Sequence, residues 1–172
     1  MTVPPKITVS GKMNIWDQFE KENHIFSDSK GISFHYEKGI DDDLKTAFVN
    51  LAKWLRKRYC FPVHITVYVL NQEKVKLLNG RSAYGSFRWY PQRLPRIKIP
   101  AKVEAEKLKE FSLEEIYEQI LSSLIHELTH YFQWVLQLEQ TNAVSERQAD
   151  YHRYRILDKF YAETNTANTK HT

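Results

Sequence analysis

The chain has 172 residues, of which 42% are hydrophobic and 27% are charged, so the composition predicts a folded domain of ordinary size rather than a disordered chain. The formal net charge of +4 is too small to indicate nucleic-acid binding by itself. The single cysteine excludes an internal disulfide and a cysteine zinc cluster, and there is neither a signal-peptide pattern nor an apolar run of about 18 residues, so we expect a soluble cytoplasmic protein without a membrane partner.

The two ends of the chain lack the periodicity of regular structure. Residues 1–40 contain several turn-forming residues and one short alternating stretch, Ile32 to Tyr36, so they predict an irregular N-terminal arm with one strand. Residues 163–172 are polar and predict a frayed tail. The folded domain is therefore predicted to span residues 41–162.

Between residues 41 and 100 the pattern alternates between helix and strand. Apolar residues at spacings of three and four predict a helix from Asp41 to Tyr59, and an apolar, β-branched stretch predicts a strand over 63–70. Residues 74–78 suggest a helical turn. Residues 84–90 and 96–99 predict a hairpin whose prolines favour the edge of a sheet.

The strongest predicted element follows. Ser112 and Glu115 form a capping-box pattern in front of a helix that continues to about Leu138, and a last helix is predicted over 144–161. Together these elements predict an α+β fold in which a small mixed sheet with an edge hairpin packs on a long central helix.

That central helix carries an H-E-x-x-H sequence. His126 and His130 are four residues apart, so both imidazoles leave the same helix face about one turn apart and can bind one metal ion. Glu127 lies about 100° around the helix, which suits a carboxylate that takes a proton from metal-bound water. The alternative is a pair of core histidines with hydrogen-bonded neighbours.

A catalytic zinc site usually has a third protein ligand. Glu146 and Asp150 share one face of the last helix and can point back at the two histidines. One of them would bind the ion, while the other would accept a hydrogen bond from a ligand histidine. His152 is a further candidate ligand, and a solvated charged face is the alternative for both carboxylates.

With H-E-x-x-H on one helix and E-x-x-x-D on the next, residues 84–160 resemble zincin metallopeptidases of the glutamate-ligand type. The E-R-Q-A-D sequence at 146–150 is also similar to the E-x-x-A-N/D element of ImmA/IrrE-type peptidases, although the residues after Asp150 depart from that family. The resemblance implies a catalytic domain over 41–162 that binds one Zn²⁺ per chain and hydrolyses peptide bonds. It assigns the ligand roles to His126, His130 and Glu146, the general base to Glu127, and the orientation of a ligand histidine to Asp150.

The resemblance also implies a substrate strand ahead of the metal helix. In zincins an edge strand holds an extended peptide substrate by main-chain hydrogen bonds. The substrate-binding candidates here are Tyr84, Gly85, Ser86 and Phe87, with Gly85 permitting a close backbone approach. The candidates for stabilising the oxyanion are Tyr84, Tyr151, His152 and Tyr154.

Charge distribution offers a different hypothesis. Residues 81–110 contain eight basic and three acidic side chains, interleaved with aromatic residues, as in proteins that bind single-stranded nucleic acid. SprT-like zincins combine proteolysis with DNA, so a nucleic-acid-associated zinc module is an alternative, as is an inactive pseudopeptidase. We interpret the basic segment as the rim of the substrate groove, with nucleic acid as the weaker alternative.

Overall fold

The computed structural model describes residues 13–169, and side chains as far as residue 165. The strands are β1 (Ile32–Tyr36), β2 (Ile65–Leu70), β3 (Val75–Lys76), β4 (Ser82–Ala83), β5 (Ser86–Tyr90) and β6 (Arg93–Pro100). The α-helices are α1 (Asp42–Arg58), α2 (Leu113–Val135) and α3 (Asn142–Thr169), and short 3-10 turns lie at Asp17–Phe19, Lys21–Asn23 and Lys107–Lys109.

The main sheet has the strand order β1-β2-β6-β5. β1, β2 and β6 are parallel, while β5 pairs antiparallel with β6, so the sheet is mixed. The inward residues of β2 and β6, such as Val67 and Ile97, are fully buried and pack with the apolar faces of α1 and α2. The predicted α+β class, with a small mixed sheet on a long helix, is confirmed.

The observed strands differ from the sequence predictions in two details. β5 forms the sheet edge as expected, whereas β6 lies inside the sheet. Pro95 is tolerated there because pairing with β2 begins at Arg96 and the pairing with β5 is irregular at this point. The predicted helical turn over 74–78 is wrong, because β3 pairs with β4 around a turn at Gly80, whose φ of 82° suits glycine.

The central helix α2 begins as predicted. Ser112 accepts a hydrogen bond from the Glu115 backbone N–H, and the Glu115 carboxylate accepts one from the Ser112 N–H, which completes a capping box. Along the helix, 13 residues between Ile116 and Val135 are buried. The helix therefore crosses the domain behind the sheet and holds the H-E-x-x-H residues rigidly.

The N-terminal segment is built into the core. Trp16 and Phe19 are fully buried, and the Trp16 indole donates to the Thr129 hydroxyl on α2 over 2.9 Å. β1 is an integral strand of the sheet, so the described part of the predicted arm packs with the domain that follows. Residues 1–12 of that arm lie outside the described residues.

Helix α3 is longer than predicted and continues to Thr169, so the described part of the predicted tail is helical. Glu163 accepts hydrogen bonds from the Trp54 indole and from Arg58, which fixes the helix against α1. The last residues of the predicted tail, 170–172, lie outside the described residues. Within residues 13–169, no helix has the length and apolar character that crossing a membrane requires.

A buried acidic side chain joins three distant parts of the chain. Glu20 is 6% exposed and accepts hydrogen bonds from Arg58 at 3.3 Å and Lys159 at 2.7 Å. Burial by itself raises the pKa of Glu20, but the hydrogen bond and charge of Lys159, together with Arg58, outweigh it and lower the pKa. The ionised carboxylate therefore stabilises the fold, fully above the ordinary pKa of 4.5 and decreasingly as pH falls below it.

We expect Glu20→Gln to lower the free energy of unfolding at neutral pH by about 1.5–3 kcal/mol, because Arg58 and Lys159 lose the negative charge of their shared partner. Urea denaturation at pH 7 and at about pH 3 measures this loss, which should shrink at the lower pH as Glu20 becomes protonated in the wild type. Asp158→Asn, at an exposed position next to Lys159, is the control. An equal loss at both pH values would contradict the role of the ionised carboxylate.

Candidate metal centre and active site

Two histidines of α2 and one glutamate of α3 come together at a single point. The Nε2 atoms of His126 and His130 are 3.3 Å apart. The two carboxylate oxygens of Glu146 lie 3.1 Å from His126 Nε2 and 3.0 Å from His130 Nε2. Within the described residues these three side chains form the group of His, Cys, Asp and Glu able to hold a metal ion.

The dimensions of this triangle fit zinc. A tetrahedral ion with bonds of about 2.0–2.1 Å places its ligand atoms about 3.3 Å apart, close to the three separations observed here. Two imidazole nitrogens and one carboxylate oxygen are also a donor set that zinc takes in hydrolytic enzymes. Burial, and then the neighbouring His130, lower the pKa of His126, which favours the neutral imidazole that a metal ion requires.

The far nitrogen of His130 is held by a glutamine. Gln133 is 7% exposed, and its amide nitrogen donates to the Ser145 carbonyl at 3.0 Å and to Gln148 at 2.8 Å. The Gln133 amide oxygen therefore faces His130 Nδ1, at 2.8 Å, and accepts its proton. With the proton on Nδ1, the lone pair of His130 is on Nε2, the atom that points at Glu146 and His126.

We expect Gln133→Met to lower zinc affinity by about 10–100-fold, because the methionine cannot fix the His130 tautomer. Gln133→Glu retains an oxygen acceptor and should recover most of the affinity. A competition titration against a chelating dye measures both. Gln119→Met, on the same helix and in the same groove, is the control, and unchanged affinity in Gln133→Met would contradict this role.

Asp150 lies behind His126, as the sequence suggested for one of the two carboxylates. Its Oδ1 is 3.1 Å from His126 Nδ1, which is a hydrogen-bonding distance. The angle at this contact is unsuitable for a hydrogen bond, however, and the buried Nδ1 has no hydrogen-bond partner. Its position thus matches orientation of His126, while Glu146 occupies the position of a third ligand.

His152, the other candidate ligand, lies elsewhere. It is 4% exposed and does not line the groove that contains the histidine pair. Burial lowers its pKa, and Asp17 of the N-terminal segment acts against that shift. The structure therefore does not bring His152 to the metal centre.

Glu127 lies beside the triangle and is 8% exposed. Burial, and then the negative charge of Glu146, raise the pKa of Glu127 to about 8, with Arg153 acting in the opposite direction. A divalent cation held by His126, His130 and Glu146 would favour the ionised form of the Glu127 carboxyl. The segment just before β5 confines the Glu127 side chain, since a Cβ at Gly85 would lie 2.9 Å from the Glu127 Oε1. The close approach that Gly85 permits is thus to Glu127 itself.

The centre lies in a groove of about 1200 Å³. All four predicted substrate-binding residues line it: Ser86 and Phe87 belong to β5, whose outer edge is unpaired in the main sheet, and Tyr84 and Gly85 lie just before that strand. The side chains differ: Phe87 packs on Tyr131 and Trp134, Ser86 is buried, and Tyr84 is 44% exposed with its hydroxyl donating to Glu104. Main-chain atoms of this edge are therefore the groups best placed to contact an extended ligand.

Of the predicted oxyanion donors, Tyr84 and Tyr154 line the groove, while Tyr151 and His152 do not. Sequence reasoning missed Arg153, which also lines the groove. Its guanidinium donates to the hydroxyls of Ser122 and Ser123 at 3.0–3.3 Å and lies 3.8 Å from Asp150. The spacing of Arg153 could have indicated this position, since residues 146, 150 and 153 lie on one face of a helix.

Comparisons with protein-family models, with curated proteins and with solved structures each find no match for this chain.

Proposed function

We propose that this chain is a zinc-dependent peptidase. The observation that carries the proposal is the triangle of His126, His130 and Glu146, with separations near 3 Å, beside a buried glutamate in a groove. Three ligands leave a fourth position of a tetrahedral ion free for water or substrate, which distinguishes catalytic from structural zinc. The buried free thiol of Cys60 suits a reducing compartment, so we place the activity in the cytoplasm.

The residues around the ion divide the reaction between them. Bound zinc would act as a Lewis acid and lower the pKa of a bound water to about 7. Glu127 takes a proton from the attacking water as its oxygen bonds to the scissile carbonyl carbon, and delivers that proton to the amine nitrogen as the C–N bond breaks. Arg153 provides positive charge toward the carbonyl oxygen as it becomes an oxyanion.

The substrate would be an extended peptide. The unpaired edge of β5 borders the groove and can add one strand through main-chain hydrogen bonds, which select for extended backbone rather than for side chains. An unfolded segment of protein is therefore the substrate class that the groove fits best.

Removing and restoring the metal tests the proposal. Hydrolysis of an unfolded protein should stop after chelation and return when about one equivalent of zinc is added, because all three ligands belong to one site. Mass spectrometry of the products identifies the cleaved bonds. Cleavage that persists in metal-free protein, or a fully reconstituted protein that cleaves no unfolded substrate, would overturn the assignment.

A further inference from the structure

The main sheet has a second face that points away from α1 and α2. Because side chains alternate along a strand, the residues next to the buried Ile65, Val67 and Ile97 point to this opposite side. The strand register aligns them in two rows across the sheet. One row is Ser33, Thr66, Arg96 and Arg88, and the other is His35, Tyr68 and Lys98, which ends at the buried Ser86. We call these rows, with Tyr90 and Arg93 at one end, the outer sheet face.

The outer sheet face is positively charged and unneutralised. In the part of the chain that the structure describes, no carboxylate lies within 4.0 Å of the charged groups of Arg88, Arg93, Arg96 and Lys98. Arg88 and Arg96 are directly opposite each other, although like charges in that arrangement destabilise a strand pair. An anion bound here would relieve that repulsion.

Tyr90 lies in the same region of positive electrostatic potential. Arg93 and Arg96 lie over its ring at 5.6 and 5.4 Å. A hydrogen bond from Arg88, together with the charges of Arg88 and Arg96, lowers the pKa of the Tyr90 phenol. Cations that surround a half-buried aromatic ring provide charge and a stacking surface at one point.

Two simpler explanations do not account for this face. Basic residues on an edge strand discourage sheet-to-sheet association, but Arg96 and Lys98 belong to the interior strand β6. The second explanation is that the basic segment forms the rim of the substrate groove. Of the four cations on this face it accounts only for Arg88, since Arg93, Arg96 and Lys98 do not line that groove. Our sequence interpretation of the segment as a groove rim is therefore wrong for those three residues.

Aromatic side chains continue across the face. The ring of His35 stacks on Tyr68 with centroids 5.3 Å apart and planes 17° apart, and Tyr68 pairs with Lys98 on the neighbouring strand. Stacking rings beside cations suit the bases and phosphates of a polynucleotide, whereas an acidic peptide or a lipid surface offers no bases to stack. An open sheet face also fits an extended strand, while duplex grooves admit a helix or a narrow ribbon.

We propose that the outer sheet face binds single-stranded nucleic acid, with phosphates at Arg93, Arg96 and Lys98 and bases on Tyr68 and Tyr90. This site lies on the other side of the sheet from the metal helix. Binding is therefore independent of peptide hydrolysis and should be equal in wild type and in Glu127→Gln.

Fluorescence anisotropy with a labelled single strand of roughly sixteen nucleotides tests the proposal. Binding should weaken as salt rises, and the double variant Arg96→Gln with Lys98→Gln should lower affinity at least tenfold. Each lost phosphate contact should also reduce the slope of log affinity against log salt by about 0.7. Tyr68→Leu should weaken binding without changing that slope, because it removes stacking and not charge.

The matched control is Lys53→Gln with Lys57→Gln, which removes the same charge from exposed positions on α1. Circular dichroism and thermal denaturation verify that every variant is folded. The proposal would be overturned if the strand did not bind at low salt, or if the control variant lost as much affinity as the double variant. It would also be overturned if polyglutamate or anionic vesicles displaced the labelled oligonucleotide as effectively as an unlabelled single strand does.

Discussion

Replacing Glu127 with glutamine should lower kcat/KM for an unfolded protein substrate by about 10²–10⁴-fold, because the amide cannot accept the proton of the attacking water. Zinc content should remain one per chain, since Glu127 lies beside the triangle of ligand atoms and is not one of its three members. Parallel measurement of cleavage rate and bound metal on the same preparation separates loss of the base from loss of the site.

A control on the same helix makes this test specific. Glu118→Gln makes the same chemical change at an exposed position and should leave both cleavage and zinc content unaltered. Retention of the wild-type rate in Glu127→Gln would exclude Glu127 as the base. Loss of metal together with activity would instead place Glu127 among the ligands.

Removing the Glu146 carboxylate should have the largest effect on metal binding. We expect Glu146→Ala to lower zinc affinity by more than the roughly 10–100-fold loss typical of residues that only orient a ligand. Asp150→Asn should fall within that range, since Asp150 faces the far nitrogen of His126. Competition titrations at constant pH compare the variants directly.

The order of these effects is the decisive result. Glu139→Ala, in the exposed connection between α2 and α3, is the control and should bind zinc as the wild type does. His152→Asn should also retain zinc affinity, because His152 is remote from the triangle. A larger loss in Asp150→Asn than in Glu146→Ala would exchange the roles of the two carboxylates.

The sequence was informative about the metal centre wherever helical geometry determines position. The four-residue spacing of His126 and His130 places both rings on one face of any helix, and the structure brings them together with Glu146. Gln133 and Ser145 were missed because their role depends on the angle at which two helices pack. Local spacing contains no information about that angle.

For the fold, the helices were easier to predict than the sheet. The ends of α1 and the start of α2 agree with the sequence within about one residue, because acidic first turns and a capping box are local signals. The parallel pairing of β1 with β2 and β6 depends on how distant segments pack. The same holds for Trp16, whose indole contacts Thr129 although its short 3-10 turn has no periodicity.

The bond between Trp16 and Thr129 spans 113 positions, and the one between Lys159 and Glu20 spans 139. The metal helix is thus supported from behind by a segment that precedes it in the chain and completed in front by Glu146 of the helix that follows it. A nascent chain on the ribosome cannot assemble the three ligands until α3 has emerged. By then the N-terminal segment that supports the metal helix has already been synthesised, so a metal ion bound to all three side chains would join a helix whose supporting contacts can already form.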